Sequence, residues 1–555
     1  MTHGLKNVMS FSRLDNAFAR FLSQRSDLIG SQQFAFEELL KLVSCHQTQG
    51  HNCIRINDEL KALALASGLA GLADQSNTLP LIVEQDRLYL HRYWNYENRL
   101  VQKIQGMTHT SQPPLQLEAA LNRYFTPSEE ADWQREAAKI AVTQSFSIIT
   151  GGPGTGKTTT VVKILALLQE LADRPLYIAL AAPTGKAAMR LQESIGANKT
   201  ALPCTDAIRQ LIPETVTTLH RLLGAKPPSP YFRHDADNPL AHDLVVVDEA
   251  SMVDLALMSK LLDALKVGAR LILLGDQDQL ASVESGAVLT DLTAALPLHT
   301  LELKKSHRFG GIIKEFAVAV NQQQPEIAWQ CLHTENAIVS LLSSDLISYI
   351  AEQQIPYLSL VKRGANFTDI YHAFNRFQVL CSNHQGKKGV SDINYRVEQK
   401  LFAQKHIYLA GQWYAGRPVM VTQNNAALHL YNGDIGLCLP DKEQHNKLMV
   451  FFQDANGQIK KHLPSRLPQC ETVFAMTIHK SQGSEFENVL LVLPDTINPV
   501  LTKELLYTGI TRAKETIKLA TSNVIFAATV TQKIERVTGL IDKFKEAIWR
   551  DKTQM

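Results

Sequence analysis

The sequence predicts an α/β protein built on parallel β-sheets, and three stretches support this prediction. Residues 145–150 form a short apolar, β-branched run that leads into a glycine-rich turn and then a helical pattern. Residues 244–247 and 271–274 are similar apolar runs, and each ends in polar and acidic residues. Strands buried on both faces are apolar throughout, and their alternation with helices is typical of a parallel sheet.

The overall composition is that of a globular protein. The chain has 555 residues, of which 45% are hydrophobic and 20% charged, so its length predicts three or four domains. The net charge of +2 requires any DNA path to be a local basic groove. No apolar run reaches membrane-spanning length and no signal peptide is evident. Seven scattered cysteines fit a reducing compartment, so we expect a cytoplasmic protein.

Residues 1–115 carry amphipathic helical patterns and no catalytic motif, which predicts an N-terminal interaction domain, mainly helical. Its one cluster of metal-ligand types comprises Cys45, His46, His51 and Cys53. The spacing matches no usual zinc finger, so a turn between a helix and a strand is the favoured interpretation.

The first α/β domain, residues 116–330, contains a phosphate-binding loop. Its pattern G-x-x-x-x-G-K-[ST] is filled by Gly151, Gly152, Pro153, Gly154, Thr155, Gly156, Lys157 and Thr158. Backbone N–H groups and the following helix N-terminus would bind phosphates, while Lys157 reaches the β- and γ-phosphates and Thr158 ligates Mg²⁺. Gln134, just upstream, suits the edge of an adenine. The predicted cofactors are therefore ATP and Mg²⁺.

Polar residues at the ends of the next two apolar strands extend this site. Asp248 would hold the Mg²⁺ shell and Glu249 would polarise the attacking water. Gln279 can hydrogen-bond a γ-phosphate, and Asp276 is expected to shape the turn. Thr184 and Lys186 begin a helix at a strand's carboxyl end, where they suit nucleic-acid phosphates, and His220 has weaker support for the same role.

Residues 331–555 repeat the α/β pattern as a second domain. Short alternating runs at about 412–470, separated by Asn-Gly and proline, predict a small inserted β-barrel. Arg308, in the basic run 304–309, and Arg512, at the end of an apolar segment, are candidate arginine fingers, which would stabilise charge on the γ-phosphate in the transition state.

The ordered motifs together resemble superfamily 1 helicases. The motifs are Gln134, Gly151 to Thr158, Ala182 to Ala187, Asp248-Glu249, Gly275 to Gln279, His307 to Phe309, Thr477 to Phe486 and Thr511 to Ala513. The detailed forms look like the RecD family, the α subunits of exodeoxyribonuclease V: GGPGTGKTTT, APTGKAA, VVVDEASMVD, HKSQGSEF, LLYTGITRAK, and Asn-Gly-Asp-Ile-Gly in the insertion. The similarity starts near residue 120.

The resemblance implies two RecA-like domains that sandwich ATP, with an SH3-like barrel inserted in the second. It implies a 5′→3′ DNA helicase in a heterotrimer with RecB and RecC, with the nuclease site in RecB. Such a complex would process double-strand DNA ends for recombinational repair. The candidate single-stranded DNA track is Thr184, Lys186, His220, Thr477 and His479, because translocation needs backbone contacts rather than base readout.

Two alternatives stay open at this point. The motor could be freestanding or act on RNA, although freestanding relatives tend to have longer N-terminal extensions. Alternatively the ATP site is regulatory and the chain is mainly a DNA-binding or assembly subunit. The argument against this alternative is the presence of four residues expected to take part in hydrolysis: Lys157, Glu249, Arg308 and Arg512. We expect the N-terminal domain to dock RecC, because it lacks catalytic residues. Residues 226–242 are the candidate for the unwinding pin.

Overall fold

The computed structural model of the chain describes residues 11–73, 78–108, 112–125, 132–282, 284–304, 311–334, 337–409, 411–425, 427–454 and 457–554. Helices and strands alternate through most of these residues and assemble into four sheets. Within these ranges, every helix is too short or too polar to span a lipid bilayer. Two of the sheets are entirely parallel, which confirms the predicted α/β class.

The N-terminal region packs helices on a small mixed sheet. Its elements are α1 (Arg13–Ser23), α2 (Gly30–Thr48), β1 (Cys53–Arg55), α3 (Asp58–Ala66), β2 (Ala70–Leu72), β3 (Leu81–Glu84), β4 (Arg87–Leu90) and α4 (His91–Met107). The strand order is β1-β4-β3-β2, with only the β2–β3 pair parallel. Strands of three or four residues are too short to show a clear period, so the patterns of this region predicted mainly helices. The turn expected between a helix and a strand near residue 50 is present between α2 and β1.

A six-stranded parallel sheet follows. Its elements are α5 (Leu117–Tyr124), α6 (Trp133–Thr143), β5 (Phe146–Thr150), α7 (Lys157–Leu171), β6 (Ile178–Ala182), α8 (Gly185–Lys199), α9 (Asp206–Leu211), β7 (Val216–Thr218), α10 (Leu219–Leu223), β8 (Leu244–Val247), α11 (Leu255–Ala264), β9 (Arg270–Gly275), α12 (Val288–Ala295) and β10 (Thr300–Glu302). The strand order β10-β5-β9-β8-β6-β7 places β5, β9 and β8 side by side at the centre.

Helices cover both faces of this sheet. Val245 and Leu273 pack on one face with α11 and α12, whereas Val246 and Ile272 pack on the other face with α7. Successive residues of a strand point to opposite faces, so covering both faces requires apolar side chains at every position. The continuous apolar runs of the sequence therefore lie at the centre of the sheet.

A second α/β region begins with α13 (Ile312–Asn321), α14 (Pro325–Cys331), β11 (Val339–Leu341), α15 (Leu346–Lys362), α16 (Phe367–Asn375), β12 (Phe377–Cys381) and α17 (Val390–Ala403). An antiparallel sheet is then inserted, formed by β13 (Pro418–Val421), β14 (Ile435–Asp441), β15 (Lys447–Gln453), β16 (Ile459–His462) and β17 (Cys470–Thr472). Its order is β16-β15-β14-β13-β17. The SH3-like closure of this insertion stays a prediction.

The inserted sheet alternates its side chains between two apolar clusters. Met420 and Phe451 join the core of the second α/β region, and Phe451 stacks on Phe367 with ring centroids 5.7 Å apart. Val419 and Val450 face the other side and form a separate cluster. The face that carries Met420 and Phe451 therefore packs the insertion against the second α/β region, while the other face has its own small core.

The second parallel sheet is completed after the insertion. Its remaining elements are β18 (Ala475–Thr477), β19 (Phe486–Val492), α18 (Lys503–Ile510), β20 (Ala513–Ala520) and α19 (Asn523–Thr531), and the order is β11-β20-β19-β12-β18. All pairs in it are parallel.

The last helix, α20 (Leu540–Gln554), leaves this region and packs against α4 and α12. Leu540 and Phe544 are fully buried in the core of the first parallel sheet. The connecting segment is tied down, because the Arg536 guanidinium donates to the carbonyls of Ser282, Glu284 and Gly286. The chain thus returns to its first half, an arrangement that the predicted boundaries do not describe.

Candidate functional site: a nucleotide cleft between the two parallel sheets

The phosphate-binding loop joins β5 to α7 at the carboxyl edge of the first sheet. Gly154 and Gly156 have φ angles of 75° and 81°, a conformation that side-chain-bearing residues rarely adopt. The Thr155 hydroxyl donates to the Gly152 carbonyl at 2.9 Å and fixes the curl of the loop. Because Gly156 caps α7, the first turn of that helix opens onto the loop, which suits an anion.

Lys157 lies across the mouth of this loop. Its ammonium donates to the carbonyls of Gly151 and Gly152 at 2.6 and 3.1 Å. Lys157 and its neighbour Thr158 both line a cleft of about 620 Å³, together with Gln134, which lies at the start of α6. The structure thus brings the three predicted nucleotide-binding elements to one cavity.

Two carboxylates close the next edge of the cleft. Asp248 and Glu249 follow β8 directly, and both line the cavity. Burial, followed by the nearby Glu249 carboxylate, raises the pKa of Asp248 to about 6, while Lys157 opposes the shift. Adjacent carboxylates that repel one another beside a threonine hydroxyl are a donor set suited to Mg²⁺. Asp248 and Thr158 therefore fit the predicted metal.

Glu249 has a left-handed backbone, with φ 52° and ψ 41°. Such a conformation costs a non-glycine residue on the order of 1 kcal/mol, and it persists where surrounding structure imposes it. Here the Glu249 N–H donates to Asp248 Oδ1 at 2.9 Å, and a short 3₁₀ turn follows at Ala250–Met252. The strain turns the Glu249 side chain into the cleft.

Arg512 reaches the cleft from the second parallel sheet. It is 2% exposed, and its guanidinium donates to the carbonyls of Thr508 and Ser484 at 3.1 and 3.2 Å and to Gln279 Oε1 at 2.9 Å. Burial lowers the pKa of Arg512, and Glu249 is the largest opposing influence. The predicted arginine and the predicted glutamine are therefore in direct contact. Arg308, the other candidate finger, lies outside the described residues, as does His307.

Arg190 is a cleft residue that the sequence did not single out. It lies on α8, lines the cavity opposite the phosphate loop, and forms an ion pair with Glu485 at 2.8 Å. The available signal was its spacing, because Arg190 is four residues after Lys186 and thus on the same helical face.

The predicted DNA-track residues lie in three places. Thr184 caps α8, accepting the Ala187 N–H at 3.2 Å, and Lys186 is in the first turn of that helix. Thr477 and His479 follow at the end of β18, where burial lowers the pKa of His479. His220 is exposed beside Phe232, with ring centroids 5.7 Å apart.

The inserted sheet covers part of this track. Lys186 shares a cavity of about 300 Å³ with Asp434 of the insertion, and burial together with Arg190 lowers the pKa of Lys186 to about 8 although Asp434 opposes the shift. Arg221, next to His220, lies over the Tyr431 ring at 4.7 Å and donates to its hydroxyl. The turn at 431–434 therefore lies beside Lys186 of the predicted track and on Arg221, the neighbour of His220 in that track.

The cysteine and histidine cluster near residue 50 makes structural contacts. His51 Nδ1 accepts the Val537 N–H at 2.9 Å, and Cys53 Sγ donates to the Val537 carbonyl at 3.7 Å. Burial lowers the pKa of His51 to about 4. These side chains anchor the segment that leads to α20.

Two family models match the chain. Residues 134–285 match a family described as AAA domain, and residues 472–519 match one described as UvrD-like helicase C-terminal domain. A Mycolicibacterium smegmatis protein described as RecBCD enzyme subunit RecD is 39% identical over 471 residues, with 83% of each chain covered.

More distant similarities were also found. A Deinococcus radiodurans protein described as ATP-dependent RecD2 DNA helicase is 32% identical over 402 residues, which cover 72% of this chain and 50% of that protein. The solved structure of Bacteroides Pif1 bound to single-stranded DNA is 18% identical, with a TM-score of 0.43, and the match covers 77% of this chain and 98% of that one.

Proposed function

The chain belongs to the RecD family of superfamily 1 helicases, and from this premise we propose that it is the 5′→3′ DNA motor of a RecBCD-type complex. In that role it would draw single-stranded DNA from double-strand ends during recombinational repair. The observation that carries the proposal is a nucleotide cleft lined by both parallel sheets, with Arg512 of the second sheet bonded to Gln279 of the first.

Each wall of the cleft has a chemical task. When bound, ATP and Mg²⁺ would supply the phosphoanhydride and neutralise its charge. Thr158 and Asp248 would hold the metal, and Lys157 would exchange its two loop carbonyls for phosphate oxygens. Gln134, at the open end of the loop, would hold the adenine. These groups bind and orient the nucleotide.

The catalytic groups are Glu249, Gln279 and Arg512. The backbone of Glu249 aims its carboxylate into the cleft, where it would orient the attacking water. Arg512 would place its guanidinium on the γ-phosphate side, a contribution worth about 10³–10⁵ in rate where arginine fingers have been measured. Since Arg512 belongs to the second sheet, hydrolysis would require the two sheets to stay close.

Closing and opening of this cleft would move DNA. Thr184 and Lys186 lie on the first α/β region, and Thr477 and His479 on the second, so a change in spacing between the regions changes the spacing of the track. The contacts would be to the DNA backbone, which allows movement along any sequence.

ATP hydrolysis by the full chain with and without oligo(dT) tests the motor. We expect stimulation by DNA, abolished in Lys157→Gln and kept in Lys163→Gln. Lys163 is the matched control, because it lies on the same helix with its ammonium 4.8 Å from the Phe125 ring centroid. If DNA stimulates hydrolysis, unwinding of duplexes with 5′ or 3′ tails would then report the polarity. DNA-independent hydrolysis would contradict a motor and favour the regulatory alternative.

We also propose that the N-terminal region docks the RecB and RecC subunits. It exposes large apolar side chains on and beside α1 and α2, which is typical of a surface that another protein covers. They are Leu14, Phe21, Ile29 and Phe34, between 54% and 82% exposed.

Point variants test docking better than deletion of residues 1–115. Deletion would remove α4, whose Leu100 and Ile104 are part of the core of the first sheet. Phe21→Glu with Phe34→Glu should abolish co-purification with RecB and RecC. The matched control is Val524→Glu, because Val524 is 72% exposed on the second α/β region. Normal assembly of the double variant would refute this docking surface.

A further inference from the structure

Tyr507 is a buried side chain of the second α/β region that reaches into the first. It lies on α18 and is 6% exposed. Its hydroxyl donates to Asp276 Oδ2 at 3.2 Å, and Asp276 is the residue that follows β9 of the first sheet. A buried tyrosine hydroxyl needs a hydrogen-bond partner, and for Tyr507 that partner belongs to the first α/β region, on the other side of the cleft.

Asp276 in turn orients Gln279. Gln279 Nε2 donates to Asp276 Oδ2 at 3.0 Å, and Arg512 Nη2 donates to Gln279 Oε1 at 2.9 Å. A guanidinium can only donate and an ionised carboxylate can only accept, so the amide fits between them in one orientation. The Asp276 carboxylate thereby decides that the carbonyl of Gln279 faces Arg512.

Three hydrogen bonds join the four side chains in a row across the cleft, from Tyr507 through Asp276 and Gln279 to Arg512. Tyr507 and Arg512 are five residues apart on the second region, while Asp276 and Gln279 are three residues apart on the first. Thr508 strengthens the same junction, because its hydroxyl accepts the Leu280 N–H at 2.9 Å. These hydrogen bonds can all form only when the two α/β regions are at the spacing seen here.

Tyr507 also lies beside the phosphate loop. A Cβ atom added to Gly152 would be 3.1 Å from the Tyr507 hydroxyl oxygen. A movement of the loop at Gly152 would therefore displace the Tyr507 hydroxyl that contacts Asp276. Tyr507, at one end of the row of hydrogen bonds, thus lies at the phosphate loop, and Arg512, at the other end, contacts the catalytic glutamine.

We propose that Tyr507 is a positioning residue for ATP hydrolysis, whose hydroxyl holds Asp276 so that Gln279 presents its carbonyl to Arg512. It would act through Asp276 and Gln279 rather than on the reacting atoms. The inference rests on the proposed ATPase function. Tyr507 would help to place the Arg512 guanidinium against Gln279 when the two regions come together.

Tyr507→Phe removes the hydroxyl and keeps the aromatic ring of the side chain. In steady-state hydrolysis with saturating oligo(dT), we expect kcat to fall about tenfold and KM for ATP to stay within about twofold, since the charge-assisted hydrogen bond that is lost is made to Asp276 and not to the nucleotide. Tyr357→Phe is the matched control. Tyr357 is 1% exposed and donates to the Gly416 carbonyl at 2.9 Å, away from the cleft.

A double variant separates positioning from a structural role. If Tyr507 acts through Asp276, Asp276→Asn with Tyr507→Phe should hydrolyse ATP about as fast as Asp276→Asn alone. Losses that multiply would overturn the proposal, as would a Tyr507→Phe enzyme with wild-type kcat. If the wild-type chain lacks DNA-stimulated hydrolysis, the proposed function fails instead, which is a distinguishable result.

Discussion

Replacing Asp276 by asparagine should stabilise the chain at alkaline pH while it impairs hydrolysis. Burial is the largest cause that raises the pKa of Asp276 to about 6, from 3.8, and Asp278 adds to the shift while Lys157, Gln279 and the Asp278 N–H oppose it. Between about pH 4 and pH 6 the folded chain therefore keeps a proton that the unfolded chain releases. The contribution of this carboxyl to stability is present below that window and is lost as pH rises through 6.

The magnitude follows from the shift. A difference of about two pKa units is worth roughly 3 kcal/mol, so at pH 8 the ionised Asp276 costs the fold about that much. Asp276→Asn removes the charge and keeps a carbonyl that accepts from Gln279 and Tyr507, at weaker strength. We expect a net gain of about 1–3 kcal/mol in the free energy of unfolding at pH 8, and none near pH 4.

Thermal unfolding without nucleotide or Mg²⁺, from pH 4.5 to 8, checks this. The melting temperature of Asp276→Asn relative to wild type should rise with pH, by several degrees in total. Asp237→Asn, at an exposed position, is the control and should show a flat difference. A variant less stable than wild type at pH 8 would refute the reasoning, because the ionised carboxylate would then stabilise the fold.

Three further predictions concern other parts of the chain. Arg512→Lys cannot reproduce the fork that contacts Gln279, so kcat should fall at least about 100-fold with little change in KM; a loss below tenfold in hydrolysis assays would argue against a finger. Phe544→Ala should lower the free energy of unfolding by about 3–5 kcal/mol, since its ring is fully buried, and an unchanged melting temperature would contradict the packing of α20. Asp434→Asn should tighten single-stranded DNA binding about 3–10-fold in anisotropy titrations by freeing Lys186, and weaker binding would remove Lys186 from the track.

The sequence predicted those parts of the site that depend on local order. A strand, a glycine-rich turn and a helix in succession determine where Lys157 lies, and Asp248 needs only to follow a buried strand. The family, and with it an ATP-dependent helicase, was predicted from the same motifs and is confirmed.

Contacts between distant segments lay beyond such patterns. Gln279 and Arg512 are 233 positions apart, and Tyr507 and Asp276 are 231 apart. No periodicity tells which partner a polar side chain at a strand end will meet. Lys186 shows the same limit, because its helix and the Asn-Gly turn of the insertion were both predicted, but not that the two face each other.

The helical pattern at the end of the chain also gave no sign of where α20 would pack. An amphipathic pattern indicates that one face of a helix is buried, but it does not indicate which core that face joins. Leu540 and Phe544 complete the core of the first sheet, although more than two hundred residues separate them from its last strand.

The return of α20 gives the second α/β region two covalent links to the first, one between β10 and α13 and one between α19 and α20. A body joined by a single link can swivel in any direction, whereas two separated links leave it one free rotation, about the line between them. The second link is also held by Arg536, which donates to the carbonyls of Ser282, Glu284 and Gly286 and keeps the end of the link in place. Two connections would therefore restrict the directions in which the second region can move relative to the first during a turnover.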